Sequence, residues 1–158
     1  MSGKFTKEET INALKAIFEK HKNERVCVVG TMCCGKTTLL SQIPGCVDLD
    51  HDLWPRLTEE EAAAINIMPW TREINDEISR LADEKVKIKP GFPVFGFIIL
   101  DCDAVVYIDI PDSLLLEHCK KRGVRFIDAL NVKKAIEDHW NRHKEKNDKV
   151  FYYLTVTE

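Results

Sequence analysis

Four consecutive apolar residues, Val26–Val29, lead directly into a glycine-rich loop at residues 30–37. A short run that is apolar at every position is typical of a strand buried on both faces of a parallel sheet. The loop has the spacing G-x-x-x-x-G-K-[ST], in which backbone N–H groups and the start of the next helix surround a phosphate chain. Strand, turn and helix in this order predict a phosphate-binding loop in an α/β sheet.

The residues of this loop have distinct expected roles. The Lys36 ammonium would reach the β and γ phosphates of ATP, and the Thr37 hydroxyl would bind Mg²⁺. Because the phosphates need only backbone amides from Cys33 and Cys34, a redox role for these thiols is the weaker alternative. The expected nucleotide-binding residues of the loop are Gly30, Thr31, Met32, Cys33, Cys34, Gly35, Lys36, Thr37 and Thr38. The expected cofactors are ATP and Mg²⁺.

Three aspartates, Asp48, Asp50 and Asp52, recur at every second residue after a second predicted strand at residues 46–49. Alternate side chains of an extended segment share a face, and open α/β sheets bind ligands at the carboxyl ends of their strands. Carboxylates beside a magnesium nucleotide can hold a metal-bound water or accept the proton of a substrate hydroxyl. We assign these two tasks to Asp48 and Asp50, and Asp52 is expected to cap the following segment.

The overall composition excludes several classes of protein. A chain of 158 residues with 44% hydrophobic and 31% charged residues is the size and composition of one globular domain. A net charge of −3 gives no overall reason to bind nucleic acid or an anionic membrane. No apolar run approaches the length of a membrane span, and no secretory signal is visible, so we expect a cytoplasmic protein. We expect it to be a monomer or a homodimer. The six cysteines have no zinc-site spacing, and we expect free thiols.

Hydrophobic periodicity and turn residues predict an alternation of helices and strands over a single domain, residues 1–158. Helices are expected at 7–22, 36–42, 58–64, 72–84, 112–122 and 132–146, with a break near Pro69, and strands at 26–29, 46–49, 85–89, 104–110 and 149–156. Residues 1–24 are expected to contain an extra N-terminal helix, which precedes the strand of the phosphate-binding loop. Residues 123–131 are expected to form a short lid.

The segment at residues 86–103 allows two interpretations. Residues 97–100 are apolar and precede Asp101, as in a strand that carries a magnesium-binding carboxylate. However, only three residues would then separate this strand from the next, whereas parallel strands need a crossover of a dozen or more. We therefore place the third strand at 85–89 and a short buried helix at 93–100. Whether Asp101 or Asp103 binds metal stays open.

Beyond the loop, two stretches resemble the small P-loop kinases, which include shikimate kinase, gluconate kinase and the nucleoside monophosphate kinases. One is the Asp48-Leu49-Asp50 sequence after the second strand; the other is Val-Val-Tyr-Ile-Asp-Ile-Pro, followed by a helix that ends in Lys-Lys-Arg-Gly. The resemblance covers most of residues 26–142. It implies that Asp48 supports Mg²⁺ and that Asp50 binds or deprotonates the phosphoryl acceptor.

The resemblance also implies roles for several arginines. Arg122 would stack on adenine, and Arg125 would be the lid arginine that neutralises the transferring phosphate. Arg56, Arg72 and Arg142 are the candidates for binding the acceptor. The catalytic residues implied are thus Lys36, Asp50 and Arg125.

Individual stretches point to different members of this group. Asp50 to Arg56, with Pro69 and Trp70, is similar to gluconate kinase, and residues 91–93 are similar to adenylate kinase. The glycine triplet of shikimate kinase is absent here. The resemblance therefore implies ATP-dependent phosphorylation of a small metabolite, such as a hydroxy acid, a nucleoside or a nucleoside monophosphate, without naming it.

The fold expected from these observations is a three-layer α/β domain of the P-loop NTPase type. Its sheet would have five mainly parallel strands in the order 2-3-1-4-5. Two rival functions stay open: a polynucleotide 5′-hydroxyl kinase, and a regulatory module that binds nucleotide without transferring phosphate. A nucleic-acid partner is disfavoured because ATP phosphates and a helix C-terminus already account for the basic residues that follow residue 119.

Overall fold

A parallel sheet of six strands runs through the residues that this computed structural model describes, 2–66, 71–146 and 149–157. The strands are β1 (Ser2–Phe5), β2 (Val26–Val29), β3 (Val47–Asp48), β4 (Val94–Gly96), β5 (Ala104–Asp109) and β6 (Val150–Val156). They lie in the order β1-β6-β5-β2-β4-β3. The phosphate-loop strand β2 is central, so the residues that follow it are flanked by the carboxyl ends of β4 and β5.

Helices cover both faces of this sheet because the strand side chains alternate between two apolar clusters. The helices are α1 (Lys7–Lys20), α2 (Lys36–Gln42), α3 (Leu49–Leu53), α4 (Glu59–Ile65), α5 (Arg72–Lys85), α6 (Asp112–Arg122) and α7 (Phe126–Lys146). Val28 packs on the side of Leu14 and Leu115, whereas Val29 packs on the side of Leu81 and Ile136. The predicted α/β class with a parallel sheet is confirmed.

The number and order of the strands differ from the prediction. Ser2–Phe5 is a sixth strand, which pairs with β6 at the edge of the sheet, so the N-terminal addition is a strand and a helix rather than a helix alone. With only four residues, this strand is too short for its hydrophobic pattern to distinguish it from a loop. The predicted break near Pro69, and the stretch Pro69 and Trp70, lie outside the described residues.

The third strand was also placed wrongly. Residues 86–89 belong to no helix or strand, and Val94–Gly96, predicted as part of a helix, is the strand that pairs with β2. The chain then returns to the start of β5 through residues 97–103. Seven extended residues span roughly 23–25 Å, which is enough to pass back along a strand of three residues without a helix.

Two sequence expectations about the chain as a whole can be compared with these elements. Among the described helices, none has both the length and the apolar character that a membrane span requires. All six cysteines are free thiols, as expected, and five of them are buried. The five buried cysteines pack within the two apolar clusters.

Candidate functional site

The phosphate-binding loop joins the end of β2 to the start of α2. Two of its residues have positive φ, Cys33 at 63° and Gly35 at 100°, and Gly35 is the N-cap residue of α2. Glycine fits this position because it has no Cβ to clash in the left-handed region. The Lys36 ammonium donates hydrogen bonds to the carbonyl groups of Gly30 and Thr31, the latter at 3.2 Å. The lysine therefore lies over the loop.

Two other glycines allow close approaches that shape the site. A Cβ on Gly30 would lie 2.6 Å from the Cys34 sulfur. A Cβ on Gly96, at the end of β4, would lie 2.9 Å from Cβ of Leu49. Contacts this short do not occur, so Gly96 is what lets α3 pack against the end of β4. Leu49 is the residue between Asp48 and Asp50, and the acidic pair is positioned by this packing.

A cleft of about 280 Å³ opens beside the loop at the carboxyl edge of the sheet. Nine of the predicted site residues line it: Thr31, Met32, Cys33, Gly35, Lys36, Thr37, Asp48, Asp50 and Arg122. Its other walls include Phe95, Gly96 and Phe97. The loop, the acidic pair and the arginine that ends α6 are thus brought to one space.

The acidic pair is held by a helix cap rather than by an alternating strand. Strand β3 ends at Asp48, whose carboxylate accepts a hydrogen bond from the Asp50 backbone N–H at 3.0 Å and caps α3. Desolvation by the cleft, followed by the charge of Asp48, raises the pKa of Asp50, and the nearby Lys36 ammonium lowers it. Asp50 therefore has a carboxylate that binds a proton more readily than an ordinary aspartate does.

The donors in this cleft suit Mg²⁺. Mg²⁺ in phosphate-transfer sites is bound by one or two protein oxygens, and phosphates and water supply the remaining ligands. The Thr37 hydroxyl and the Asp48 carboxylate line the same cleft as Lys36. No group of three or more metal-ligating His, Cys, Asp or Glu side chains occurs in the described residues, so a metal site made by the protein alone is not found there.

A second cavity, of about 320 Å³, lies between α1, the start of α2 and α6. Cys33, Cys34, Gly35, Thr38 and Arg122 line it, and so do Lys7, Thr10, His118 and Lys121. Arg122 lines both cavities. Lys7 and Thr10 come from the N-terminal addition, for which the sequence predicted no role in the site.

His118 is a site residue that sequence reasoning missed. Its Nδ1 lies 2.8 Å from the carbonyl oxygen of Cys33, the loop residue in the left-handed conformation. A non-glycine residue in that region costs about 1–2 kcal/mol, and this hydrogen bond from α6 offsets part of that cost. A single histidine on a polar helix carries no sequence signal for this role.

We expect His118→Ala to weaken ATP binding about 3–10-fold, because one hydrogen bond that fixes the loop is worth about 1 kcal/mol. His118→Asn is the matched control, since its side-chain amide can donate to the same carbonyl group and should restore most of the affinity. Equilibrium titration of both variants with ATP measures the effect. Unchanged affinity in His118→Ala, or an equal loss in both variants, would assign His118 a role in packing alone.

The predicted lid residues have a different arrangement. Residues 126–131 belong to α7, and residues 123–125 form the connection from α6. Arg125 is largely exposed, its Nε lies 3.9 Å from the Asp128 carboxylate, and it lines neither cavity. The loop nevertheless contacts this region, because the buried Thr31 hydroxyl donates to the Ala129 carbonyl group.

The three arginines expected to bind the acceptor lie outside the cleft. Arg56 pairs with Asp52 at 3.4 Å. Arg142 bonds to Asp76 and Asp138 between α5 and α7, and Arg72 pairs with the same Asp138 at 3.6 Å. Arg72 and Arg142 therefore join α5 and α7, Arg56 makes a local pair, and none of the three contributes a cation to the cleft.

Asp101 and Asp103 lie at the opposite edge of the sheet from the loop. Asp103 directly precedes β5 and, with Asp101, holds the Arg25 guanidinium at the start of β2. These contacts lower the pKa of both carboxyl groups. The two aspartates join strand ends and are too far along the sheet to share a metal with the phosphate loop.

No protein-family model and no curated protein matches the chain. The interpretation of the cleft therefore depends on its own geometry.

Proposed function

We propose that this chain is an ATP- and Mg²⁺-dependent phosphotransferase that acts on the hydroxyl group of an acceptor. The observation that carries this proposal is the pairing of Lys36 and Asp50 in one cleft, with the Lys36 charge acting on the Asp50 carboxylate. A nucleotide-binding loop alone would need only the lysine and the backbone amides. A carboxylate of raised pKa in the same cleft can in addition take the proton of a hydroxyl acceptor.

The proposed reaction assigns one task to each group. The acceptor oxygen attacks the γ-phosphorus, the bond from that phosphorus to the β–γ bridging oxygen breaks, and ADP leaves. Asp50 takes the proton of the acceptor hydroxyl, and Lys36 stabilises the negative charge on the phosphate oxygens. Mg²⁺, held by Thr37 and Asp48, would supply further positive charge to the β and γ phosphates. Most of the catalysis is then positioning and charge neutralisation.

Arg122 completes the proposed nucleotide site. Its side chain lines both the cleft and the second cavity, so it can contact the base and lie near the phosphates at the same time. Arg125 enters this proposal only through movement of residues 123–125, since it does not line the cleft in this structure.

Release of ADP from Mg·ATP by the purified protein tests the proposal. The reaction is measured with no acceptor and with shikimate, gluconate, nucleosides, nucleoside monophosphates and oligonucleotides that carry a free terminal hydroxyl, and Lys36→Ala serves as the blank. We expect one acceptor class to stimulate ADP release. ATP binding without stimulated release by any acceptor would instead indicate a nucleotide-binding regulatory module.

A further inference from the structure

A groove of about 540 Å³ runs beside β3, the strand at the free edge of the sheet. Apolar residues Val47, Phe92 and Val94 line it together with Arg56, Lys85, Lys87, Lys89 and one acid, Asp52. We call this space the edge groove. It combines four cationic side chains with an aromatic ring, although the chain as a whole has a net charge of −3.

The charges of two lysines in the edge groove are not offset by ion pairs. Lys85 lies 3.2 Å from Glu61, and Arg56 lies 3.4 Å from Asp52. Lys87 donates to a backbone carbonyl group, and Lys89 has no carboxylate partner among the described residues. The Lys87 charge also acts on the Asp101 carboxylate and helps to lower its pKa, so the charge of Lys89 is the less compensated of the two. An anion in the groove would therefore meet positive charge that no ion pair within the groove neutralises.

The same two lysines alternate with buried residues along residues 86–89, as side chains do in an extended chain. Val86 and Ile88 are buried while Lys87 and Lys89 are exposed, so both ammonium groups lie on the solvent side. Residues two apart in extended chain are about 7 Å apart. A row of cations at this spacing matches a ligand that carries repeated negative charges, such as the phosphodiesters of an extended nucleic-acid strand.

The aromatic side chain of the groove is presented to solvent by a tight turn. Phe92 is 50% exposed. Gly91 has a φ of 84°, and the Phe92 N–H donates to the Lys89 carbonyl group at 3.1 Å, which closes the turn. Exposed aromatic rings beside backbone-binding cations are the surfaces on which single-stranded bases stack.

Helix α3 lies between this groove and the cleft. Asp50 lines the cleft and Asp52 lines the groove, and the two spaces share no lining residue. A helix is about 10–12 Å across, so a small anion in the groove would not reach the γ-phosphate in the cleft. Among the described residues, the cations that line the cleft are Lys36 of the loop and Arg122 of α6. The part of the cleft that would hold the acceptor therefore suits a neutral hydroxyl group.

We propose that the edge groove binds the backbone of a single-stranded polynucleotide whose terminal hydroxyl group is the phosphoryl acceptor. The inference rests on the proposed phosphotransferase function and names its substrate class. A polymer accounts for both spaces, because its uncharged end enters the cleft while its phosphodiesters lie across α3 on Lys87 and Lys89. The net charge of −3, which disfavours nucleic acid, is a sum over the whole chain and does not describe the local positive charge of the edge groove.

Fluorescence anisotropy with a labelled twelve-nucleotide single strand, titrated between 50 and 200 mM NaCl, tests the groove. We expect Lys87→Gln/Lys89→Gln to weaken binding at least tenfold at 50 mM and to reduce the slope of log K against log[salt] by roughly 1.4, which is 0.7 for each phosphate contact. Phe92→Ala should weaken binding at least fivefold with the slope unchanged. Lys134→Gln/Lys144→Gln, exposed on α7, is the matched control and should bind like the unaltered protein.

ADP release links this binding to the proposed reaction. Unlabelled strands with a free hydroxyl at the 5′ end, at the 3′ end or at neither end distinguish the acceptor, and only strands with the reacting hydroxyl should stimulate release. Absence of binding at 50 mM NaCl, binding insensitive to Lys87 and Lys89, or stimulation by a small alcohol alone overturns the polynucleotide acceptor and leaves the phosphotransferase in place. Failure of the protein to bind ATP refutes the phosphotransferase itself.

Discussion

Acceptor-dependent ADP release falls about a hundredfold to a thousandfold in Lys36→Ala, and the protein remains folded. The lysine is the one charged side chain of the loop, and removing a group that stabilises charge in the transition state costs this much in enzymes. Its Nζ bonds to the carbonyl groups of Gly30 and Thr31, which are buried residues, so its loss costs about 1–3 kcal/mol of stability. Steady-state ADP release and a thermal melt measure the two quantities.

The matched control for this variant is Lys20→Ala, an exposed lysine in the last turn of α1. It removes the same charge far from the cleft and should keep full activity. Turnover close to normal in Lys36→Ala would refute the assignment of the loop to catalysis. Unfolding of the variant would show that the loop lysine is needed for stability, and Lys36→Met, which keeps the apolar stem, would then replace it.

Asp50→Asn should lower turnover about a hundredfold to ten-thousandfold, the contribution of a general base, and change ATP affinity by less than twofold. Asparagine keeps the shape of the side chain but cannot accept the acceptor proton. The measurement is kcat together with the ATP dissociation constant. A loss confined to ATP affinity would reassign Asp50 to nucleotide binding.

The pH dependence of turnover gives Asp50 a second signature. The base acts when deprotonated, and its pKa lies above that of an ordinary aspartate, so activity should fall on the acid side at a pH higher than an unshifted carboxylate would give. The residual activity of Asp50→Asn should lack this acid limb. A pKa raised by folding means that the ionised group destabilises the native state at neutral pH. Asp50→Asn should therefore melt at the same temperature as the unaltered protein or slightly higher.

The local features of this fold could be predicted from the sequence. The β2 strand, the loop and α2 follow from contiguous residues, and the helix bounds at Lys36 and Gln42 agree with the prediction. The α6 helix begins after Pro111 and ends before Gly123, whose φ is 69°, because both residues act on their immediate neighbours. These signals depend only on residues that are adjacent in the sequence.

The missed features depend on contacts between distant residues. Val94–Gly96 is a strand because it fits between β2 and β3, whereas the general rule on crossover length argued against a strand at residues 97–100 and led to a predicted helix at 93–100. The acidic pair lies in the cleft because Leu49 packs on Gly96, a contact across more than forty residues. The candidate acceptor arginines matched a family pattern, but nearby carboxylates such as Asp52 and Asp138 hold them elsewhere.

Calorimetric titration of the protein with ATP in the presence of Mg²⁺ tests the central claim most directly, since every later step requires nucleotide phosphates on the loop. We predict one ATP bound per chain, with affinity that is reduced at least tenfold in Lys36→Ala and is retained in Asp50→Asn. Absence of ATP binding, or equal binding by the protein and Lys36→Ala, would contradict the account.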